Sequence, residues 1–193
     1  MKPDDVEPDN VPVIEKPATV MPYRNELPGL ELYQKEWASL MPLVATAEDL
    51  HAVLGLPDEM HDLDDYSAPY PGDDKAVQPV WTYDLNPQWQ LLVYFGRSSL
   101  PVQKTLSPEY YDKLYSLELI PTDKRILEAS TIPTSFAQRK VSAADASWVE
   151  YSLPSGLQYE VYNRGERENR LNRVVYGPSI DALAGSRKGA DGL

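Results

Sequence analysis

A chain of 193 residues with no cysteine and a formal net charge of −12 excludes several kinds of protein at once. It has no disulfide framework, thiolate metal site or cysteine nucleophile, and at this length an ordinary core can bury roughly 70% of the unfolded surface. Its 30 acidic residues against 18 basic ones repel polyanions and anionic membranes, so no nucleic-acid partner is expected, and no run approaches the roughly 18 apolar residues of a transmembrane segment.

Residues 1–29 read as a proline-rich acidic arm. Pro3, Pro8, Pro12, Pro17, Pro22 and Pro28 recur among Asp4, Asp5, Glu7, Asp9 and Glu15. Each proline fixes φ and removes a donor, so extended chain is expected rather than helix or sheet. The arm is either a tether or a strap laid along a partner protein, with Val11, Val13, Val20 and Met21 as anchors. Its start lacks the apolar core of a signal peptide. That suits an exported, periplasmic or envelope-associated chain after signal removal, and equally a cytoplasmic one.

Residues 30–180 read as a single α+β domain and 181–193 as a flexible tail. Leu32, Tyr33, Trp37, Leu40 and Met41 suggest a short helix or turn before Pro42. A helix follows at 46–54, with Thr46 as N-cap, Asp49 three residues on, Gly55 to end it and Pro57 to prevent its resumption. Residues 58–79 form a long polar loop. The period then becomes two: strands are expected at 80–84, 91–95 and 114–120, the last with Tyr115, Leu117 and Leu119 on one face. Between the last two, Ser107-Pro108-Glu109 can start one helical turn. Residues 148–153, 157–162 and 171–176 make a meander whose first hairpin turns at Pro154-Ser155-Gly156, with Leu157, Tyr159 and Val161 inward. The expected architecture is a single antiparallel sheet of five or six strands with one or two short helices packed on one face, plus the extended N-terminal arm. Trp37, Trp81, Tyr83, Trp148 and Tyr159 are expected in the core.

The stretch Thr46-Ala47-Glu48-Asp49-Leu50-His51-Ala52-Val53-Leu54-Gly55-Leu56-Pro57, followed by Trp81-Thr82-Tyr83 and Leu91-Leu92-Val93-Tyr94-Phe95, resembles small bacterial envelope domains. These are the SmpA/OmlA assembly lipoproteins and the β-lactamase inhibitor protein. The closing Tyr176-Gly177-Pro178-Ser179 extends the likeness to exported bacterial proteins of unknown function. The close resemblance covers residues 46–95 and implies an exported module that binds other proteins without an active site. The chain departs from it in its long acidic loop and in lacking a lipid-attachment cysteine.

No hydrolase elbow, phosphate loop, dinucleotide fingerprint or zinc-binding helix motif is present, so neither catalysis nor a cofactor is expected. Of the two histidines, His51 lies off the apolar stripe of its helix and reads as a solvated surface residue, and His61 lies in the acidic loop. Asp62, Asp64 and Asp65 offer hard oxygen ligands of the kind calcium takes, at a spacing that departs from an EF-hand. Tyr66 and Tyr70 stand in the same loop and suit a protein interface. The sequence therefore points to a non-catalytic accessory or adaptor subunit of a larger assembly. A carboxylate-based ligand-binding protein or hydrolase, with or without calcium, and a soluble protein inhibitor are the alternatives.

Overall fold

The computed structural model describes residues 37–60, 81–96, 107–123, 125–127, 132–142 and 147–187. Helix α1 (Ala47–Leu54) starts and stops by local chemistry. Thr46 Oγ1 accepts the Asp49 N–H at 3.3 Å, and Asp49 Oδ2 accepts the Thr46 N–H at 2.8 Å, which closes a capping box. The bond from the Thr46 backbone, then that from its hydroxyl, hold the Asp49 carboxyl below its ordinary value. At the other end Gly55, at φ 75, donates its N–H to the His51 carbonyl. That left-handed turn costs a glycine nothing in Cβ clashes.

Among the described residues eight strands form one sheet. They are β1 (Glu59–Met60), β2 (Trp81–Asn86), β3 (Trp89–Phe95), β4 (Leu114–Pro121), β5 (Ala137–Ser142), β6 (Ser147–Ser152), β7 (Leu157–Tyr162) and β8 (Leu171–Tyr176). Their order is β1-β2-β3-β4-β8-β7-β6-β5, antiparallel at every junction. Two four-stranded meanders thus meet through their last strands, β4 against β8. A second helix, α2 (Ile180–Arg187), opens the stretch whose composition reads as a tail.

The expectation of five or six strands with helices on one face is therefore corrected. The sheet is wider, and the helices lie on opposite faces of it. Leu50 and Leu54 of α1 join the apolar core, whereas Ile180 and Leu183 of α2 stand over the polar face, beside Gln158 and Val175. The two additional strands are the sheet's edges. β1 has two exposed residues inside the stretch read as a loop. Ala137, Gln138, Arg139 and Lys140 of β5 are all exposed, so β5 shows no alternation that a period-two reading could detect.

The apolar face is built from straight cross-strand rows. Trp81, Val93, Leu117, Tyr176 and Leu157 are successive register partners, each 3% exposed or less. Tyr83, Leu91, Leu119, Val174 and Tyr159 make the next row. Full burial of one large apolar side chain contributes roughly 1.5–3 kcal/mol, so these rows dominate the stability of the sheet. Burial also pushes the Tyr159 hydroxyl up to about 12.

Two side chains depart from the expected packing. A bulge pairs Tyr94 with Ser116 but Phe95 with Leu114, so Leu114 takes the buried position and Tyr115 leaves the face of Leu117 and Leu119. Trp148 is half-buried and outside the core, being on the same face of β6 as Glu150. Trp89 takes the core position instead, with the Arg125 guanidinium 4.9 Å from its ring centre. Ahead of α1, Leu43 is buried at φ 66, a region leucine rarely enters. Its N–H donates to the Leu114 carbonyl at 2.7 Å and the Leu114 N–H donates to Ala45 at 2.8 Å, so β4 holds this turn in place.

Candidate functional site

On the face opposite α1, Glu118, Val175, Gln158, Ser152 and Ala137 form one in-register row crossing β4, β8, β7, β6 and β5. All five line a cleft of ≈ 410 Å³, and Ile180 and Leu183 of α2 supply its apolar wall. Five neighbouring strands span about 19 Å. The cleft thus runs from the middle of the sheet to its edge. α2 is fastened at both ends: the Ile180 N–H donates to the Pro154 carbonyl at 2.9 Å, and Ser107 Oγ donates to the Ser186 carbonyl at 2.8 Å.

The neighbouring row on the same face is charged. Arg173, Glu160, Glu150 and Arg139 are successive partners across β8, β7, β6 and β5. Arg173 Nε and Nη2 donate to the two oxygens of Glu160 at 2.7 and 2.9 Å, and its Nη1 reaches Glu118 Oε2 at 2.7 Å. Glu160 also accepts from Asn172 and Gln158, so its charge is met on all sides. At the outer end Arg139 Nε donates to Glu150 at 2.6 Å. Burial alone would pull the Arg173 guanidinium down, but its bonds to Glu160 and the charge of Glu118 outweigh that and hold it above its usual value.

Glu118 differs from Glu160. It is 9% exposed, and only Oε2 is engaged by Arg173. Among the described residues Oε1 accepts no hydrogen bond, yet it is not sealed from solvent. Burial raises the carboxyl above its ordinary value of 4.5; Arg173 opposes the shift, and the neighbouring charge of Glu160 adds to it. A carboxyl raised on folding makes the folded state the better proton holder. Its stabilising effect is complete below the unfolded value and is lost as pH rises through the folded one. The melting temperature should therefore decline between the two values as pH increases from about 4.5. Glu118→Gln should flatten that decline, and an unchanged slope in paired thermal melts would assign it to another group.

A second feature is the outer edge of β5. Among the described residues it pairs with β6 alone, and Ala137, Gln138, Arg139 and Lys140 lie exposed along it. Among the described residues nothing meets the backbone groups of these four on the side away from β6. Edges of this kind can accept another strand.

The residues singled out in the sequence lie elsewhere. Val11, Val13, Val20, Tyr66, Tyr70, Asp62, Asp64 and Asp65 fall outside the described residues, as does His61. Among the described residues no three acidic or histidine side chains converge as a metal site requires. His51 is not a freely solvated residue: its ring stacks on Trp81 at 4.6 Å and an interplanar angle of 2°, and its Nε2 is buried with no hydrogen-bond partner among the described residues. Nothing local in the sequence distinguishes Glu118, Glu160 and Arg173. The available clue was a glutamate between two leucines and an isoleucine in Leu117-Glu118-Leu119-Ile120.

No helix among the described residues is long and apolar enough to cross a membrane. No family model, curated protein or solved structure matches this chain.

Proposed function

We propose that this chain is a non-catalytic interaction module, an accessory or adaptor subunit that takes an extended segment of a partner protein as an additional strand along β5. The observation that carries this reading is the outer edge of β5, exposed and, among the described residues, unpaired. Added strands are held by main-chain hydrogen bonds, and side-chain pockets beside the edge supply selectivity. The cleft reaches the same edge at Ala137. Lys140, and Arg139 with its largely exposed side chain, disfavour self-pairing of two identical edges, since like charges would be brought together. A polypeptide partner also suits the overall charge of −12, which repels nucleic acid. A cell-envelope assembly is the setting implied by the resemblance of residues 46–95.

Co-purification from the native source, followed by mass spectrometry of bound proteins, identifies the partner. Lys140→Pro and Val141→Pro then test the edge. Adjacent residues of a strand turn their N–H groups to opposite sides, so one of the two prolines removes an outward donor and spares the ladder to β6. The variant that keeps the parent melting temperature should lose the partner. Full retention of the partner by that variant would exclude β5. If deletion of residues 1–29 abolished binding while the proline variant kept it, the docking element would be the arm.

A further inference from the structure

The cleft has a chemistry of its own that strand addition leaves unused. Among the described residues lining it, Glu118 is the one carrying a formal charge. Behind it, Glu118 and Glu160 share a single guanidinium, that of Arg173, so two carboxylates face one cation. The next pair along the row, Glu150 and Arg139, is balanced. Among the described residues one negative charge is therefore in excess at the inner end of the cleft, on a largely buried side chain whose Oε1 accepts no hydrogen bond from them. A desolvated carboxylate in that position gains most from a charged donor.

The rest of the cleft is suited to an apolar body. Val175 forms the floor beside Glu118, and Ile180 and Leu183 face it from α2. Gln158 and Ser152 continue the floor toward the edge. A volume of ≈ 410 Å³ lies within the usual range of small-molecule sites, roughly 300–1,000 Å³. The arrangement sets a carboxylate at the inner end of an apolar trough.

We propose that this cleft binds a small amphipathic amine, with its ammonium donating to Glu118 Oε1 and its hydrocarbon part lying between Val175 and the α2 residues Ile180 and Leu183. An anionic amphiphile is rejected at the head site by the excess negative charge. A neutral alcohol of the same length gains the apolar contact but only an ordinary hydrogen bond. The proposal is independent of the β5 reading, since it concerns the polar face and a small ligand.

The test titrates the full chain with n-hexylammonium, 1-hexanol and hexanoate, followed by calorimetry and by amide and methyl NMR. Hexylammonium should saturate one site and shift the resonances of Glu118, Val175 and Leu183. Glu118→Gln should weaken it by about tenfold or more while leaving the weak binding of hexanol unchanged. Ile180→Lys adds a competing cation at a residue that is 63% exposed and tolerant of change, and should also weaken it. Absence of saturable hexylammonium binding would overturn the proposal. So would equal binding of hexanoate or hexanol, or hexylammonium affinity unaffected by Glu118→Gln. None of these results bears on whether the proline variants of β5 lose a protein partner, so the two readings fail separately.

Discussion

Arg173→Leu should lower the free energy of unfolding by about 3 kcal/mol at neutral pH, chiefly through what it leaves behind. Arg173 binds Glu160 through two bonds and Glu118 through a third. Without it, two glutamates that are 2% and 9% exposed face each other across β8 with no cation between them. Removing one partner from a buried cluster costs about 3–5 kcal/mol. The lower figure applies because the Arg173 side chain keeps 34% of its surface in water, which screens part of the interaction. Two companion measurements separate repulsion from lost packing. Adding Glu118→Gln to Arg173→Leu should recover part of the loss, because it removes one of the stranded charges. Lowering the pH should narrow the gap between Arg173→Leu and the parent, because protonated carboxyls no longer need the guanidinium. Urea unfolding that showed less than about 1 kcal/mol at neutral pH, with no pH dependence, would mean that water reaches the glutamates once the arginine is gone.

That cluster also marks the boundary of what the sequence discloses. α1 was legible because its determinants lie within a dozen residues: Thr46 and Asp49 at one end, Gly55 and Pro57 at the other. The six inner strands were legible because burial on one face imposes alternation, as in Leu157, Tyr159 and Val161. The edges gave no such pattern, since Gln138, Arg139 and Lys140 bury neither face. Strict alternation puts Tyr115 on the wrong face for a related reason, because one unpaired residue in the β3–β4 ladder resets it. The candidate site is a property of register. Glu118 and Arg173 stand 55 positions apart and meet only because β4 pairs with β8 rather than with β5. Their order in the chain would sooner suggest neighbouring hairpins, and no local feature of either residue indicates otherwise. The cleft likewise needs α2 folded back over Val175, an outcome its weakly amphipathic sequence does not specify.

Gly156→Ala should cost about 3 kcal/mol or more, and two other glycines serve as controls for the reason. Gly156 closes the β6–β7 hairpin at φ 95, a backbone geometry that strains any side chain by about 1–3 kcal/mol. A Cβ there would also collide with the Gly177 carbonyl oxygen, and the atoms in its way are backbone, including the Pro178 carbonyl. They cannot step aside cheaply, because the Gly177 N–H donates to the Gly156 carbonyl at 2.9 Å and the Ile180 N–H to that of Pro154 at 2.9 Å. Displacing a packed backbone adds about 1–3 kcal/mol. Gly165→Ala also meets a positive φ, 75, but no atom within 4 Å, so it should cost only about 1 kcal/mol. Gly177→Ala meets its nearest atom at 3.8 Å without a positive φ and should be close to neutral. The order Gly156, Gly165, Gly177 in chemical denaturation is thus fixed by geometry. Equal losses at 156 and 165 would show that φ alone decides and that the hairpin does not press on Gly177. Because Gly177 and Pro178 lead directly into α2, the collision has a second consequence. Gly156→Ala should loosen the Ile180–Leu183 wall of the cleft, so hexylammonium binding should weaken in this variant even under conditions where the sheet remains folded.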